Sequence, residues 1–146
     1  MSVRTNEYTV AIVGESGRAA GNATIEVTVR DESKGGLRHR PCTVSLRWRD
    51  AVFEATESDV YLAFQLVRLK LEEFGLRPVC YGACSDVQVS GMLVDMGDGT
   101  EAYRMSTQVG DNAPEVVSIF ESDPEIEPAP VAEQLAYQQK MWSESE

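Results

Sequence analysis

A chain of 146 residues with 42% hydrophobic content can bury one globular core unaided, and no run approaches the ~18 consecutive apolar residues that span a bilayer. Three cysteines, an odd number, fit a reducing compartment better than a disulfide framework. The net charge of −11 is uneven: residues 1–85 hold eleven acids and eleven Lys or Arg, whereas residues 86–146 hold thirteen acids against Arg104 and Lys140. An acidic half repels nucleic-acid phosphate, so it points to a basic protein partner or to simple solubility.

Tyr8 to Val13 reads as a first strand, and Gly14 to Asn22 as a hairpin connection. Thr24 to Arg30 alternates cleanly, with Ile25, Val27 and Val29 on one face, so it predicts a strand with one wet side. A loop from Asp31 to Arg40 carries Gly35-Gly36. Cys42 to Arg49 then alternates again, with Cys42, Val44, Leu46 and Trp48 inward, and a short strand over Ala51 to Ala55 completes an antiparallel meander.

Thr56 to Gly75 is the longest apolar-periodic stretch and predicts one long central helix. Thr56 and Asp59 form a capping-box relation, and Gly75 supplies the stop. Val60, Ala63, Phe64, Val67, Leu71 and Phe74 fall on its core face. Leu62, Leu66 and Leu69 make a second apolar strip, leaving Tyr61, Gln65, Arg68 and Glu72 as the polar face. Pro78 to Tyr81 reads as a short strand. Residues 82–101 are rich in Gly, Ser and Asp, with apolar islands at Val87-Val89 and Met92-Val94; Asp95 to Thr100 reads as a turn, with Ala102 to Met105 returning. Val116 to Phe120 is the last strand.

Glu121 to Pro130, with three prolines and four acids, reads as an extended acidic linker, and Val131 to Trp142 as a short helix. The expected architecture is α+β: a meander on one long helix, further short strands, and a C-terminal helix. Its divisions are a domain over 1–120, a linker over 121–130 and a helical tail over 131–146. The N-terminus lacks the apolar core of a signal peptide, so the expected placement is the cytoplasm.

No catalytic motif emerges. Gly14-Glu15-Ser16-Gly17 lacks the second glycine of a nucleophile elbow, the lysine of a P-loop and the helix of a dinucleotide fingerprint. The single histidine confines Ser-His or Cys-His chemistry to His39. His39, Cys42, Cys80 and Cys84 are an acceptable zinc set by ligand type, but Cys42 and Cys80 sit in strand patterns where free cysteine serves as a small hydrophobe. Cys84 has no base near it in sequence to make it a nucleophile. A calcium reading of Asp95, Asp98 and Glu101 lacks the EF-hand pattern. The expectation is a chain without metal or cofactor. Arg30, Lys34, Arg38, Arg40, Arg47 and Arg49 cluster around two strands, a set able to bind a phosphate or a nucleic acid. With the rest of the chain so acidic, they are expected instead to face solvent or the acids Glu121, Asp123, Glu125 and Glu127.

The stretch from Cys80 to Met105, preceded by L-E-E-F-G-L-R-P, resembles small bacterial immunity proteins of contact-dependent or polymorphic toxin systems. That resemblance spans residues ~58–120 and implies a non-enzymatic protein that occludes a basic toxin. Contacts would come from Asp95, Asp98, Glu101, Asp111 and Glu115, with Trp142 as an anchor. A second reading is a ligand binder or small enzyme with a pocket near residues 81–101, drawing on Tyr81, Ser85, Asp86 and Ser90. A third is a homo-oligomer joined through Leu62, Leu66 and Leu69 or through the tail.

Overall fold

Residues 2–109 and 113–144 are described by a computed structural model of the chain. Alternation does set the first four strands: β1 (Ser2–Gly14), β2 (Ala19–Asp31), β3 (Cys42–Trp48) and β4 (Ala51–Glu57) form an antiparallel meander. α1 (Val60–Glu72) follows, and β5 (Leu76–Val79) then returns to pair with β1, giving the order β4-β3-β2-β1-β5. Pro78 lies in β5 at the sheet's edge, where a missing amide hydrogen costs no ladder bond. At the opposite edge Lys70 donates its Nζ to the Glu54 carbonyl of β4.

One face of this sheet is apolar and the other wet, as the period of two requires. Val10, Ile12, Ile25, Val27, Val44 and Leu46 are buried beneath α1. On the outer face the register aligns Thr5, Thr28, Thr43 and Thr56 in one row across four strands, and Glu7, Glu26, Ser45 and Glu54 in the next. Neighbouring hydroxyls bond across the first row, Thr43 with Thr56 at 2.7 Å.

The helix differs from expectation in extent and in orientation. It has 13 residues, because Thr56 still belongs to β4 and the N-cap is Asp59, whose Oδ1 accepts the Leu62 amide at 2.8 Å. Gly75 does take a left-handed φ of 71°, three residues past the helix's last residue. Val60, Ala63, Phe64, Val67 and Leu71 face the core as periodicity predicts, and Phe74 is exposed. Tyr61 and Arg68, read as solvent-facing, are buried, whereas Leu62, Leu66 and Leu69 remain 39%, 37% and 44% exposed. The chain covers the polar side of α1 and leaves its second apolar strip open.

The cover is built from the rest of the chain. After β5 a 3-10 turn (Tyr81–Ala83) leads to β6 (Val87–Gln88), α2 (Gly91–Gly97), β7 (Glu101–Val109) and β8 (Ala113–Ser118), with a second sheet in the order β6-β7-β8. Met92-Leu93-Val94 therefore lies in a helix and not in a hairpin arm; Ser90 caps it by accepting the Leu93 amide. The two sheets join where the Gly82 amide donates to the Ile119 carbonyl at 2.8 Å. A Cβ on Gly82 would lie 2.9 Å from the Ile119 Cβ and 3.1 Å from the Phe64 ring, so only glycine fits that approach.

Residues 121–130, read as an extended acidic linker, pack in part against the core. Ile126 and Ala129 are each 8% exposed, and the Ala129 amide donates to the Ala83 carbonyl at 2.8 Å. The following helix α3 (Val131–Glu144) buries Val131 and Gln134 against the core. Among the described residues the protein is thus α+β, with two antiparallel sheets and three α-helices, and no helix is long and apolar enough to cross a membrane.

Candidate functional site

Asp98 ends α2 in the left-handed conformation (φ 58°, ψ 17°), which a short side chain tolerates. Its carbonyl accepts the Val60 amide at 2.7 Å, so the α2 C-terminus is fastened to the start of α1. This turns the carboxylate toward the end of the large sheet, where three arginines meet it. Arg4, in the inward register of β1, donates to Oδ2 at 3.1 Å; Arg40 donates to the same oxygen at 2.8 Å; Arg38 reaches Oδ1 at 3.2 Å. The Asp98 side chain is only 4% exposed, against 56%, 44% and 25% for Arg4, Arg38 and Arg40.

A cleft of about 340 Å³ opens beside this cluster. Arg38, His39 and Arg40 line it from the loop, and Thr56, Glu57 and Ser58 from the junction of β4 with α1. His39 is largely exposed and leans toward Glu32 at 3.4 Å. The Arg40 Nε is buried without a hydrogen-bond partner. Burial beneath the cluster, with Asp98 and Asp59 adding to it, pushes the Cys42 thiol up to about 11, so it stays protonated at neutral pH.

The second polar centre lies on the covered side of α1. Arg68, 2% exposed, donates to the carbonyls of Gly82 and Ala129 at 3.0 Å each and to Gln134 Oε1 at 2.6 Å. The Gln134 amide nitrogen donates in turn to the carbonyls of Cys84 at 2.8 Å, Val87 at 3.0 Å and Gly82 at 3.2 Å. Glu72 accepts the Val131 amide at 2.7 Å, and Gln138 donates to the Tyr61 hydroxyl at 2.9 Å. No carboxylate pairs with Arg68 among the described residues; desolvation pulls its pKa down, and neutral oxygens hold its charge. These bonds hold α3 and show no opening to a ligand.

The residues singled out in the sequence fare differently. Asp98 is buried and held by arginines, so it leaves the set of exposed partner contacts, and its carboxylate is not free for calcium. Asp95 on α2 and Glu101 at the start of β7 are exposed, and Glu115 is half-buried opposite Arg104 in β8. Asp111 lies outside the described residues, as does the side chain of Trp142, whose backbone belongs to α3.

His39, Cys42, Cys80 and Cys84 are not brought together as a metal site. Burial raises Cys80 to about 12 and Cys84 to about 11, which suits small hydrophobes and not nucleophiles. Tyr81, Ser85, Asp86 and Ser90 do not converge either. Ser85 and Asp86 share a shallow hollow with Arg104 and Ser106, while Ser90 lines another with Tyr61 and Gln138. Among the described residues no ion pair ties Glu121, Asp123, Glu125 or Glu127 to the basic cluster around β2 and β3, of which Arg38 and Arg40 turn to Asp98 instead.

Three features escape a reading of the sequence alone. Arg4 had no local signal, since only the β1–β2 register shows that it points inward opposite Val29. The Arg68–Gln134 pair is separated by 66 residues. The outer row of Glu7, Glu26 and Glu54 needs strand alignment: alternation turns Glu26 outward, but Glu7 precedes the strand read from Tyr8. No known protein family and no curated protein matches the chain.

Proposed function

We propose that the chain is a non-enzymatic binding module whose acidic surface meets a basic protein, in the manner of an immunity protein on a toxin domain. The observation that supports this reading most is the outer row of the large sheet. Glu7 stands directly opposite Glu26, and Glu54 continues the row two strands away. All three are exposed, and no ion pair to them exists among the described residues. Like charges directly opposed across a ladder cost about 0.2–1 kcal/mol, so the arrangement runs against stability and suits a partner that supplies the missing cations. Asp95 and Glu101 extend the exposed acidic surface to the second half of the chain.

The test is association of the purified chain with a panel of inactivated basic toxin domains, measured at low and at high salt. Binding should weaken as salt rises, and the triple variant Glu7→Lys, Glu26→Lys, Glu54→Lys should bind at least tenfold less tightly, an expected change of about 1.4 kcal/mol. Salt-independent binding, or none at low salt, refutes the reading. A second reading, a homo-oligomer, draws on Leu62, Leu66 and Leu69, which the described residues leave 39%, 37% and 44% exposed. Sedimentation over a wide concentration range decides it, since a strict monomer excludes it.

A further inference from the structure

We infer that the cleft between Arg38 and Glu57 binds a protonated oxyanion: hydrogen phosphate, free or as a small phosphomonoester. The inference stands independently of the partner-binding reading above. It starts from the supply of donors. Three guanidinium groups carry fifteen N–H bonds between them. The bonds they make on Asp98 and the Val94 carbonyl number four. The Arg40 Nε is buried without a partner, and the Arg38 side chain, which lines the cleft, is 44% exposed.

Charge alone does not define the ligand. Arg4, Arg38 and Arg40 are balanced by Asp98, by Glu57 in the opposite part of the lining, and by Asp59 buried at the N-cap of α1. His39 completes the loop side and leans on Glu32. The cleft therefore has no net positive field to hold a polyanion, and the acidic remainder of the molecule repels one.

What the cleft offers is a division of hydrogen-bonding roles. The loop side presents donors, Arg38 and Arg40. The β4–α1 side presents the Glu57 carboxylate, which can only accept, and the hydroxyls of Thr56 and Ser58. Hydrogen phosphate matches both sides, because its bare oxygens accept from arginine while its P–OH donates to a carboxylate. Sulfate has the same shape but no hydrogen to give. It would leave Glu57 facing an anion with no bond between them, and an unpaired charged acceptor is costly.

The experiment is calorimetric titration of the full chain at pH 6.5 and low ionic strength with sodium phosphate, sodium sulfate and glycerol phosphate. Saturable phosphate binding, with sulfate at least about tenfold weaker, is expected from the loss of one charge-assisted bond. Glycerol phosphate binding as tightly as phosphate assigns the site to monoesters, and its rejection assigns it to the free ion. Arg38→Ala should weaken phosphate about tenfold, and Arg38→Lys should restore only part of it, because lysine cannot offer the planar fork. Glu57→Gln should narrow the phosphate-to-sulfate gap to within about threefold, since a neutral amide tolerates sulfate. Circular dichroism of each variant separates lost binding from lost fold. No saturable phosphate binding, equal binding of both ions by the unaltered chain, or folded Arg38 and Glu57 variants that titrate like the parent would overturn the proposal.

Discussion

Asp59 carries a cost that its position in the helix conceals. Burial pushes its carboxyl above the usual value of 3.8, and the amides of Leu62 and Tyr61 offset this only in part. A carboxyl with a raised folded pKa holds its proton more tightly in the native state. Its contribution is therefore complete below the unfolded pKa and is lost as pH rises through the folded one. Asparagine would keep the capping oxygen and remove the charge. Asp59→Asn should equal or exceed the parent's stability at pH 7 in urea, with the difference closing once the pH falls below about 4. Asp59→Ala, which lacks the cap, should lose about 1 kcal/mol at pH 7. An Asn variant clearly weaker than the parent at pH 7 would show that the charge itself is needed. At Asp98 the balance is reversed, because three arginines depend on one carboxylate. Asp98→Ala should cost about 1–3 kcal/mol, toward the lower end because Arg4 and Arg38 are solvated enough to find water instead.

At the scale of the element, α1 inverts the usual rule for a surface helix. Replacing apolar Leu66 by Gln should change stability by no more than about 0.5 kcal/mol, whereas replacing polar Arg68 by Leu should cost about 2–4 kcal/mol. Thermal and urea melts of the two variants test this inversion directly. The periodicity of residues 60–71 was sufficient to find the helix and its core face, because Val60, Phe64, Val67 and Leu71 meet the nearest sheet. It could not find which flank is covered, because the cover arrives from residues 80–87, 129 and 134, with no local sequence signal. The start of the helix was misplaced for a similar reason. Thr56 looks like a cap beside Asp59, but its partner is Thr43 across the ladder. Strands were more legible, since each alternation refers only to itself. Lys70 has a protective task at the open edge of β4, where its ammonium occupies the Glu54 carbonyl that another strand would otherwise use.

Across the whole molecule, the contacts bind the ends of the chain to its middle. The expected boundary at residue 120 has no counterpart in packing, because Ile126, Ala129, Val131 and Gln134 all help to bury what lies before it. A chain ending at Phe120 should therefore lose cooperative unfolding, which the breadth of its urea transition and its amide NMR dispersion would report. Retention of a sharp transition would restore the boundary. The uneven charge of the sequence puts thirteen acids in residues 86–146. It could not foretell that a glutamate row would form on the charge-balanced half, since that needs the register of three strand pairs.

Gln134 also sets an order of events. It is the fourth residue of α3 and lies 66 residues after Arg68, so the socket around Arg68 is completed only when α3 docks. Until then the guanidinium must stay hydrated, and its burial belongs to a late stage of folding. Gln134→Ala should accordingly speed unfolding while leaving the refolding rate nearly unchanged, the pattern of a contact absent from the transition state. Stopped-flow kinetics in urea would read both arms. The last described helix then acts as a brake on opening, and an uncharged side chain is part of what sets it, beside the bonds of Glu72 and Gln138.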